Sequence, residues 1–378
     1  MKIIVFQIEP LWALPPTLSL LSILSEKYHV IFITCSQNNK YLKFFNEKKI
    51  EYISITNRLR LRHGILPAIV ERFINRKRIW KVIRKNYNYN TIIWTTSERS
   101  VVFLGAKLKE YRFIMQLMEL IQIERVKGIF PYNFFINIKK IAQSAKVLVV
   151  PEYNRARIQS TWWQLNNPVF VLPNKTVLHP CIPKLKISDD HIREIINNII
   201  ISGKRIILYQ GVLHSQRNLD NFILACDRLK DKYVFVIMGK ITAGLIRLQN
   251  KYNSFVHINW LEAPSHLEVT SWAHIGILSY VPKKISYISE LNALYCAPNK
   301  IFEYAGFGIP MLANDCPPLK YTFKKWGIGE IVDLNDVDSI IKGIELIEQN
   351  YEERAIKCRE FFNSIEMDRI VDEIIAVT

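Results

Sequence analysis

The segment YCAPNKIFEYAGFGIPMLAND, residues 295–315, reads as a loop, a helix, a turn and a buried strand in direct succession. Pro298 and Asn299 end the loop and can begin a helix. The sequence GFGIP then ends that helix, because glycine tolerates the left-handed backbone that commonly follows a helix. A helix that closes directly onto an apolar strand is typical of an α/β protein with a parallel sheet.

The first turns of this helix carry two side chains suited to a nucleotide. Lys300 and Glu303 are three residues apart and share one helix face. A helix N-terminus attracts phosphate, and Lys300 adds a positive charge there. A carboxylate such as Glu303 accepts two hydroxyl hydrogen bonds from a ribose. A simpler interpretation stays open for each residue alone: Glu303 complements the helix dipole, and Lys300 is solvated.

Apolar strands alternate with helices on both sides of this segment. The strands form two series, which are separated by the proline-containing stretch 175–203: residues 2–7, 29–36, 52–55, 91–96, 112–118, 146–152 and 169–174, then residues 205–211, 233–239, 255–259, 275–280, 309–315 and 329–333. Such alternation predicts parallel sheets covered on both faces. We therefore predict an α/β fold with two Rossmann-like, doubly wound lobes that face a central cleft.

The predicted lobes divide the chain unevenly. The first lobe spans residues 1–178, and the second spans 179–350 with a linker at its start. Residues 351–378 are expected to form a C-terminal helix that returns to the first lobe. A chain of 378 residues is long enough for two such domains.

Composition narrows the class of protein. The N-terminal sequence MKIIVFQIEP lacks the features of a signal peptide, and no stretch approaches the ~20 apolar residues of a membrane span. The six cysteines are scattered and form no CxxC pair, which argues against a zinc or redox motif. We expect a cytoplasmic protein with reduced thiols.

The net charge of +17 is concentrated in one segment. Residues 56–86 contain ten basic residues and one acid, Glu71, a net charge of +9. Apolar residues recur between them at helical spacing, as in a basic amphipathic helix. A patch for an anionic membrane or an acceptor is predicted from Arg72, Arg76, Lys77, Arg78 and Lys81. A surface helix with solvated cations is the open alternative.

The segment PNKIFEYAGFGIPMLAND, residues 298–315, resembles the donor-site signature of the GT-B-fold nucleotide-sugar glycosyltransferases of group 1, the retaining type. The pattern of that family is roughly PNKxFEYxxxGxPxxAxD. It is matched at PNK, at FEY and at Gly308, Pro310, Ala313 and Asp315. Many members of the family build bacterial surface polysaccharides.

A second segment, ILYQGVLHSQRNLDNFILAC at residues 207–226, is similar to the first strand and loop of the donor lobe in that family. Gly211 matches the glycine that ends the strand, and Arg217 matches a basic residue that reaches the donor diphosphate. Val212 and Asn218 depart from the family, since many members have basic residues there. The donor site that the resemblance implies comprises Gly211, Arg217, Tyr295, Asn299, Lys300 and Glu303, with Tyr295 standing where many members have a glutamate.

The first half of the chain carries one further resemblance. FIMQLMELIQIE, residues 113–124, resembles the family's strand that ends in a His-Glu-Leu-like turn, with Met118 in place of His. Glu119 matches the acid and is implied as an acceptor-side or catalytic carboxylate. Its open alternative is a solvated acid at a strand end. The implied catalytic residues are thus Glu119, Arg217 and Lys300.

No metal or other cofactor is expected. Asp336 and Asp338 have the DxD form of a metal site, but they fall where a helix begins, so helix capping explains them better. The pair Asp189–Asp190 is interpreted in the same way. The histidines show no ligand spacing. His214 lies in the candidate phosphate loop and can reach the donor.

The resemblance implies a metal-independent, retaining glycosyltransferase. It would move a sugar from a nucleoside-diphosphate sugar to a glycan acceptor, expected to be polyprenyl-linked, in capsule or O-antigen assembly on the inner face of the plasma membrane. Two alternatives stay open. One is a nucleotide-sugar epimerase of the same fold. The other is a nucleic-acid-binding protein that uses residues 56–86, although no nucleic-acid motif is present and no such partner is expected.

Overall fold

A computed structural model describes residues 1–55, 65–122, 136–182, 184–284 and 288–378 of the chain. The chain divides into two compact units. The first unit comprises Met1–Pro173, Lys284–Asn292 and Met367–Thr378, and the second comprises Asn174–Lys283 and Ala293–Glu366. Each unit is built around one parallel sheet.

The first unit contains a seven-stranded sheet in the order β3-β2-β1-β4-β5-β6-β7. Its strands are β1 (Lys2–Gln7), β2 (His29–Thr34), β3 (Glu51–Ser54), β4 (Thr91–Thr95), β5 (Phe113–Gln116), β6 (Val147–Val150) and β7 (Val169–Val171). Its helices are α1 (Pro16–Lys27), α2 (Leu42–Glu47), α3 (Ile65–Asn86), α4 (Glu98–Leu104), α5 (Ile138–Ala142), α6 (Tyr153–Trp163) and, from the end of the chain, α16 (Met367–Ala376).

The five central strands of this sheet are buried almost throughout, whereas the edge strands β3 and β7 are partly exposed. All pair in parallel, and the register of β1 aligns Ile4 with Ile31 of β2 and with Ile93 of β4. These side chains belong to a core that α3 and α4 cover on the same face as Trp163. Apolar side chains on consecutive residues of β1 are thus explained, because helices cover both faces of a parallel sheet.

The second unit contains a six-stranded parallel sheet in the order β10-β9-β8-β11-β12-β13. Its strands are β8 (Arg205–Gln210), β9 (Tyr233–Gly239), β10 (Phe255–Asn259), β11 (Ile275–Leu278), β12 (Met311–Ala313) and β13 (Gly329–Ile331). The helices around it are α7 (Asp190–Ile201), α8 (Asp220–Arg228), α9 (Ala243–Lys251), α10 (His266–Thr270), α12 (Lys300–Phe307), α13 (Pro317–Trp326), α14 (Val337–Gln349) and α15 (Tyr351–Asn363). The short helix α11 (Leu291–Leu294) contains the boundary along the chain at which the first unit ends and the second resumes.

The helix α12 is fixed by close packing at both ends. Gly276 of β11 lets it approach, since a Cβ atom there would lie 2.4 Å from the Tyr304 ring. The Tyr304 hydroxyl donates to the Leu208 carbonyl oxygen at 2.9 Å. Gly308 ends the helix in the left-handed conformation (φ 75°). The loop, helix, turn and strand predicted for residues 295–315 are therefore all observed.

The course of the C-terminal region differs from the prediction of one tail helix. Residues 351–376 form two helices, α15 and α16. The first stays in the second unit, because Phe361 stacks on Phe302 of α12 and Cys358 is fully buried in the same core. The second belongs to the first unit, where Lys27 of α1 pairs with Asp372 at 2.5 Å. The chain also leaves the second unit over residues 284–292, which the sequence did not indicate.

Within the basic segment, residues 65–86 form one long helix, α3. The inner face of α3 is formed by Ile79, Trp80 and Ile83, whose side chains are buried. Arg76 and Arg72 of the predicted patch contact the protein itself: Arg76 donates to the Leu104 carbonyl oxygen at 2.8 Å, and Arg72 lies over the Phe103 ring.

The other three patch residues, Lys77, Arg78 and Lys81, are exposed on α3. Arg58, Arg60 and Arg62 lie outside the described residues. None of the described helices has the length and hydropathy needed to span a membrane.

Candidate functional site

The candidate site lies at the carboxyl edge of the second sheet, between β8 and β11. These neighbouring strands are followed by connections that run in opposite directions along the sheet, from β8 to β9 and from β11 to β12. Such a switch point is where ligands bind in open α/β sheets. The loop after β8 is joined to the residues after β11 by hydrogen bonds, from the Asn218 amide to Ser279 Oγ and from the Val281 amide to the Gln216 carbonyl oxygen.

Gly211 begins the loop after β8 with a backbone that only glycine adopts easily. Its φ is 128°, and a Cβ atom there would lie 3.4 Å from Nζ of Lys300. The Gly211 carbonyl oxygen also crowds β9, since a Cβ atom on Gly239 would lie 2.3 Å from it. The glycine at this strand end thus brings the loop and the N-terminus of α12 together.

The Lys300 ammonium group is buried without a hydrogen-bond partner. Its Nζ lies 4.2 Å from the centroid of the Tyr209 ring and 5.7 Å from that of Tyr280. Burial and the nearby Arg217 guanidinium hold the pKa of Lys300 well below its ordinary value. An unpaired cation inside a protein is costly unless a ligand of opposite charge completes it.

Arg217 adds a second cation to the same place. Its Cζ lies 4.1 Å from the centroid of the Tyr280 ring, and its buried Nε has no hydrogen-bond partner. Burial, Arg217 and Lys300 together lower the pKa of His214 to about 4, so this imidazole is neutral at neutral pH. Two cations therefore converge on a point where the described residues supply no counter-charge within hydrogen-bonding distance of Lys300 Nζ.

Glu303 lies one turn into α12 and is 6% exposed. Its Oε1 is 3.1 Å from Nε2 of His266, and its Oε2 accepts a hydrogen bond from the Gln210 amide. Burial raises the pKa of Glu303, but His266, Lys300 and Gln210 outweigh it and leave the pKa below its ordinary value. The group is thus a carboxylate, and each oxygen retains a lone pair for a further donor.

Gln210 and Thr270 hold this carboxylate in place. The Thr270 hydroxyl lies 2.6 Å from Oε1 of Gln210, and both residues are buried. Because Glu303 is ionised, the NH₂ group of Gln210 must face it and the amide orientation is determined. On the backbone side, Nε2 of His179 lies 3.0 Å from the Glu303 carbonyl oxygen.

An open cavity of about 1360 Å³ adjoins this cluster. The loops that follow β8, β9, β11, β12 and β13 all contribute to its wall, so it runs along the carboxyl edge of the sheet. His214, Arg217 and Tyr280 form the part of the wall nearest to Lys300. This volume is large enough for a nucleotide and a sugar.

The remaining predicted donor residues lie around α12. Asn299 precedes the helix, and its carbonyl oxygen accepts from the amides of Phe302 and Glu303 at 3.0 and 3.2 Å. Tyr295 follows α11 and is partly buried.

The helix after the glycine loop, α8, begins at Asp220, and the Asp220 carboxylate lies in its first turn. Arg247 binds that carboxylate at 2.6 Å and, with Lys251 and Tyr252, lowers its pKa. An acid therefore occupies the N-terminus of α8, so the anion-binding corner is formed by Gly211, Arg217 and α12.

Each of the two acidic pairs supplies one helix cap, and its second aspartate lies in the first turn of the helix. Oδ1 of Asp336 accepts from the Asp338 amide at 2.9 Å at the start of α14. Asp189 caps α7 through the Ile192 amide at 3.0 Å. Within the described ranges, no group of three or more His, Cys, Asp or Glu side chains is placed to hold a metal ion.

Glu119 lies in the first unit, in the loop after β5. Its Oε2 accepts from the side-chain Nδ2 of Asn292 at 2.6 Å and is 3.9 Å from Nη1 of Arg155. Its side chain is 38% exposed, so the carboxylate remains open to a ligand despite these partners.

Sequence reasoning missed several residues of the site. Gln210, His266 and Thr270 surround Glu303, and the rings of Tyr209 and Tyr280 face the two cations. The only signal for Tyr209 and Gln210 was their position directly before Gly211 at a strand end. His266 and Thr270 had no signal, because their contacts with residues about 37 and 60 positions away arise from the tertiary fold.

Comparison with known proteins agrees with this geometry. Residues 191–360 match the family model described as Glycosyl transferases group 1. Among curated proteins, no match is found.

Three solved structures share the fold at low sequence identity. A glycosyltransferase from Rickettsia africae ESF-5 is 14% identical (TM-score 0.63, 100% of this chain and 97% of that chain). Anabaena HepE in complex with UDP and glucose is 12% identical (0.65, 100% and 98%). An α,α-trehalose-phosphate synthase (UDP-forming) from Burkholderia xenovorans, in complex with glucose-6-phosphate, is 11% identical (0.63, 100% and 99%).

These findings confirm the predicted family resemblance and fold class. Residues 191–360, less than half of the chain, are similar to the group 1 glycosyltransferases, and the chain has the two-sheet α/β fold of the GT-B enzymes.

Proposed function

We propose that this glycosyltransferase takes its sugar from a nucleoside-diphosphate donor bound in the second unit. The observation that carries the proposal is the Lys300 ammonium group, buried and unpartnered beside Arg217 at the N-terminus of α12. A diphosphate would supply the missing negative charge and hydrogen-bond acceptors. The solved HepE structure contains UDP and glucose, which supports this assignment by analogy.

In this proposal each residue has one role. Arg217, Lys300 and the Gly211 loop hold the diphosphate and stabilise the charge that develops on it as the sugar leaves. Glu303 binds the two ribose hydroxyls, with its orientation held by Gln210 and His266. Since protein cations neutralise the leaving group, we propose a metal-independent reaction and, following the family resemblance, retention of anomeric configuration.

The acceptor is proposed to be a glycan, polyprenyl-linked, in bacterial surface-polysaccharide assembly. The support is the family resemblance together with the exposed basic residues Lys77, Arg78 and Lys81 of α3. The same helix exposes Val70 (47%) and Phe73 (52%), so cationic and apolar groups occur together, as on helices that rest on anionic membranes. We therefore propose peripheral contact with the inner face of the plasma membrane.

The experiment that tests the donor proposal is a thermal-shift panel of UDP, GDP, dTDP and CMP with their common sugars. A ligand that binds only the folded state raises the melting temperature by mass action. We expect one nucleoside diphosphate to raise it clearly in the wild-type protein and not in Glu303→Ala. Asp227→Ala, at an exposed acid of the same unit, is the matched control and should respond like wild type. A folded protein that responds to no nucleotide would refute the proposal.

A further inference from the structure

The first sheet has its own switch point, between β1 and β4, and acidic residues line it. The two strands are neighbours, while their connections run towards β2 on one side and β5 on the other. Glu9 follows β1, and Ser97 and Glu98 follow β4 at the same carboxyl edge. By the rule that applied to the second sheet, this is the ligand-binding edge of the first unit.

Glu9 is fixed here by the residues after β4. The Ser97 hydroxyl lies 2.9 and 3.1 Å from the two carboxylate oxygens of Glu9, and Oγ of Ser100 lies 3.5 Å away. Ser97 also caps α4 by accepting from the Ser100 amide at 3.1 Å. The carboxylate of Glu9 is therefore held at the switch point by residues that are themselves buried and hydrogen-bonded.

Glu98 is the unusual member of the group. It is 4% exposed, and its Oε2 is buried without a hydrogen-bond partner. Burial, with the nearby charges of Glu119 and Glu9, raises the pKa of Glu98 to about 7. An unpartnered buried carboxyl group is unfavourable to folding, and such a group at a ligand-binding edge indicates a partner that arrives with the ligand.

The floor beneath these acids is polar and completely hydrogen-bonded. Nε2 of Gln7 donates to the carbonyl oxygens of Glu9 and Pro10, at 3.1 and 3.2 Å. The Thr96 hydroxyl lies 3.0 Å from Oε1 of Gln7, and both residues are fully buried. Satisfied polar groups of this kind pre-organise a site, so Glu98 stands out as the one whose buried oxygen awaits a donor.

The two switch points differ in the sign of their charge. Arg217 and Lys300 make that of the second sheet cationic, whereas Glu9, Glu98 and Glu119 make that of the first sheet acidic. Two cations lie near the acids: Arg99 is exposed, and Arg155 donates to the Met118 and Asn292 carbonyl oxygens at 2.8 Å. Three carboxyl groups still attract hydroxyl hydrogens and repel phosphate.

We propose that the acidic switch point of Glu9, Glu98 and Glu119 binds the neutral, hydroxyl-bearing sugar of the acceptor and excludes sugars that carry a phosphate in place of a bound hydroxyl. This inference rests on the proposed glycosyl transfer and specifies its acceptor. Glu98 forms a hydrogen bond with one sugar hydroxyl, as acceptor when it is ionised and as donor when it is protonated. Glu9 and Glu119 accept hydrogen bonds from other hydroxyls of the same sugar. The trehalose-phosphate synthase structure named above contains glucose-6-phosphate. The site of this chain is expected to reject that class of sugar.

The test is saturation-transfer difference NMR on the full chain. The protein is first loaded with an excess of the nucleoside diphosphate that the thermal-shift panel selects. The probes are the methyl glycosides of glucose, galactose, mannose and N-acetylglucosamine, each paired with its 6-phosphate. At least one glycoside should bind, and its 6-phosphate should bind at least about tenfold more weakly. Glu98→Ala should abolish the glycoside signal, while Glu110→Ala, at an exposed acid of the same unit, should leave it unchanged.

A charge test separates the proposed role from a merely structural one. In the double variant Glu9→Gln, Glu98→Gln the side chains keep their size but lose their charge, so discrimination against the phosphate should fall to about threefold or less. The inference is overturned if no glycoside binds, if a 6-phosphate binds as tightly as its glycoside, or if Glu98→Ala has no effect. A nucleotide shift that persists in these variants shows that the protein is folded and the donor proposal intact.

Discussion

At the scale of single residues, Lys300 links ligand binding to stability. Its ammonium group is buried, unpartnered and close to Arg217, so it disfavours folding when no anion is bound. Lys300→Met keeps the length of the side chain and removes the charge. We expect the free protein to become more stable by roughly 1–3 kcal/mol and nucleotide binding to be lost.

Differential scanning fluorimetry with and without the nucleoside diphosphate measures both effects. Lys324→Met, at an exposed lysine of α13, should change neither stability nor binding. A Lys300→Met protein that melts at a lower temperature than wild type in the absence of nucleotide would contradict this view of the site.

A substitution at Gly211 tests whether the backbone geometry of the loop after β8 is needed for nucleotide binding. Its φ of 128° lies outside the left-handed region that other residues tolerate, so Gly211→Ala should destabilise the fold by about 1–3 kcal/mol. The displaced loop should also weaken nucleotide binding. Gly203→Ala is the matched control, because Gly203 has a φ of 74° with open space around it and lies outside the site. Equal effects of the two substitutions in chemical denaturation and nucleotide titration would argue against a special role for Gly211.

The raised pKa of Glu98 predicts that the stability of the protein depends on pH. Its pKa in the folded protein is raised from 4.5 to about 7, so below about pH 4.5 it is protonated in both the folded and unfolded states. Above about pH 7 the folded state holds a buried carboxylate that the unfolded state solvates. The wild type should therefore lose stability as the pH rises through this range, and Glu98→Gln should not. The free energy of unfolding of Glu98→Gln, measured relative to wild type, should rise by about 3 kcal/mol from about pH 4.5 to about pH 8.5. Urea denaturation at both pH values measures this, and a pH-independent difference would refute it.

At the scale of elements, α12 shows why the sequence predicted so much of the second unit. Pro298, Gly308 and the apolar strand after it are local signals, and the structure contains the helix and strand that they predict. Glu303 and Lys300 were found because both lie within the first turns of that helix. Their partners Gln210 and His266 were not, since no local pattern brings β8 and α10 to one helix end.

The same contrast applies to the first unit. The segment TTSERS at residues 95–100 places polar residues directly after a buried strand, a signal that sequence reasoning left unused. That these residues meet Glu9 depends on β1 and β4 being neighbours in the sheet. Strand order is a property of the whole fold, and consecutive strands in sequence, such as β3 and β4, are separated here by two others.

The start of α14 provides a prediction at the scale of elements. Because Asp336 caps this helix through the Asp338 amide, Asp336→Ala should cost about 1 kcal/mol of stability. Asp338→Ala should cost less, since its contact is an exposed pair with Arg228 at 2.7 Å. Neither change should weaken nucleotide binding.

Because no metal is proposed for the reaction, EDTA should leave the nucleotide thermal shift unchanged. A shift that disappears with EDTA and returns with Mg²⁺ would refute metal independence.

At the scale of the whole molecule, the uneven charge distribution predicts where the protein meets a membrane. The net charge is +17, and residues 56–86 carry +9 of it. Along α3 the inner face is buried, which leaves Lys77, Arg78 and Lys81 exposed together with Phe73. Each cation near an anionic bilayer contributes about 1 kcal/mol, so three of them determine a measurable share of the affinity.

We expect the full chain to sediment with vesicles that contain phosphatidylglycerol and to remain in solution with purely zwitterionic vesicles. The triple variant Lys77→Gln, Arg78→Gln, Lys81→Gln should bind on the order of 100-fold more weakly, and raising the salt should reduce wild-type binding. Lys230→Gln, Lys232→Gln, Lys324→Gln removes the same charge from exposed positions of the second unit and is the matched control. If both triple variants lose equal affinity, net charge alone drives binding and α3 is not the docking surface. If only the first loses it while the nucleotide shift is retained in both, the membrane contact belongs to α3 and is separable from the donor site.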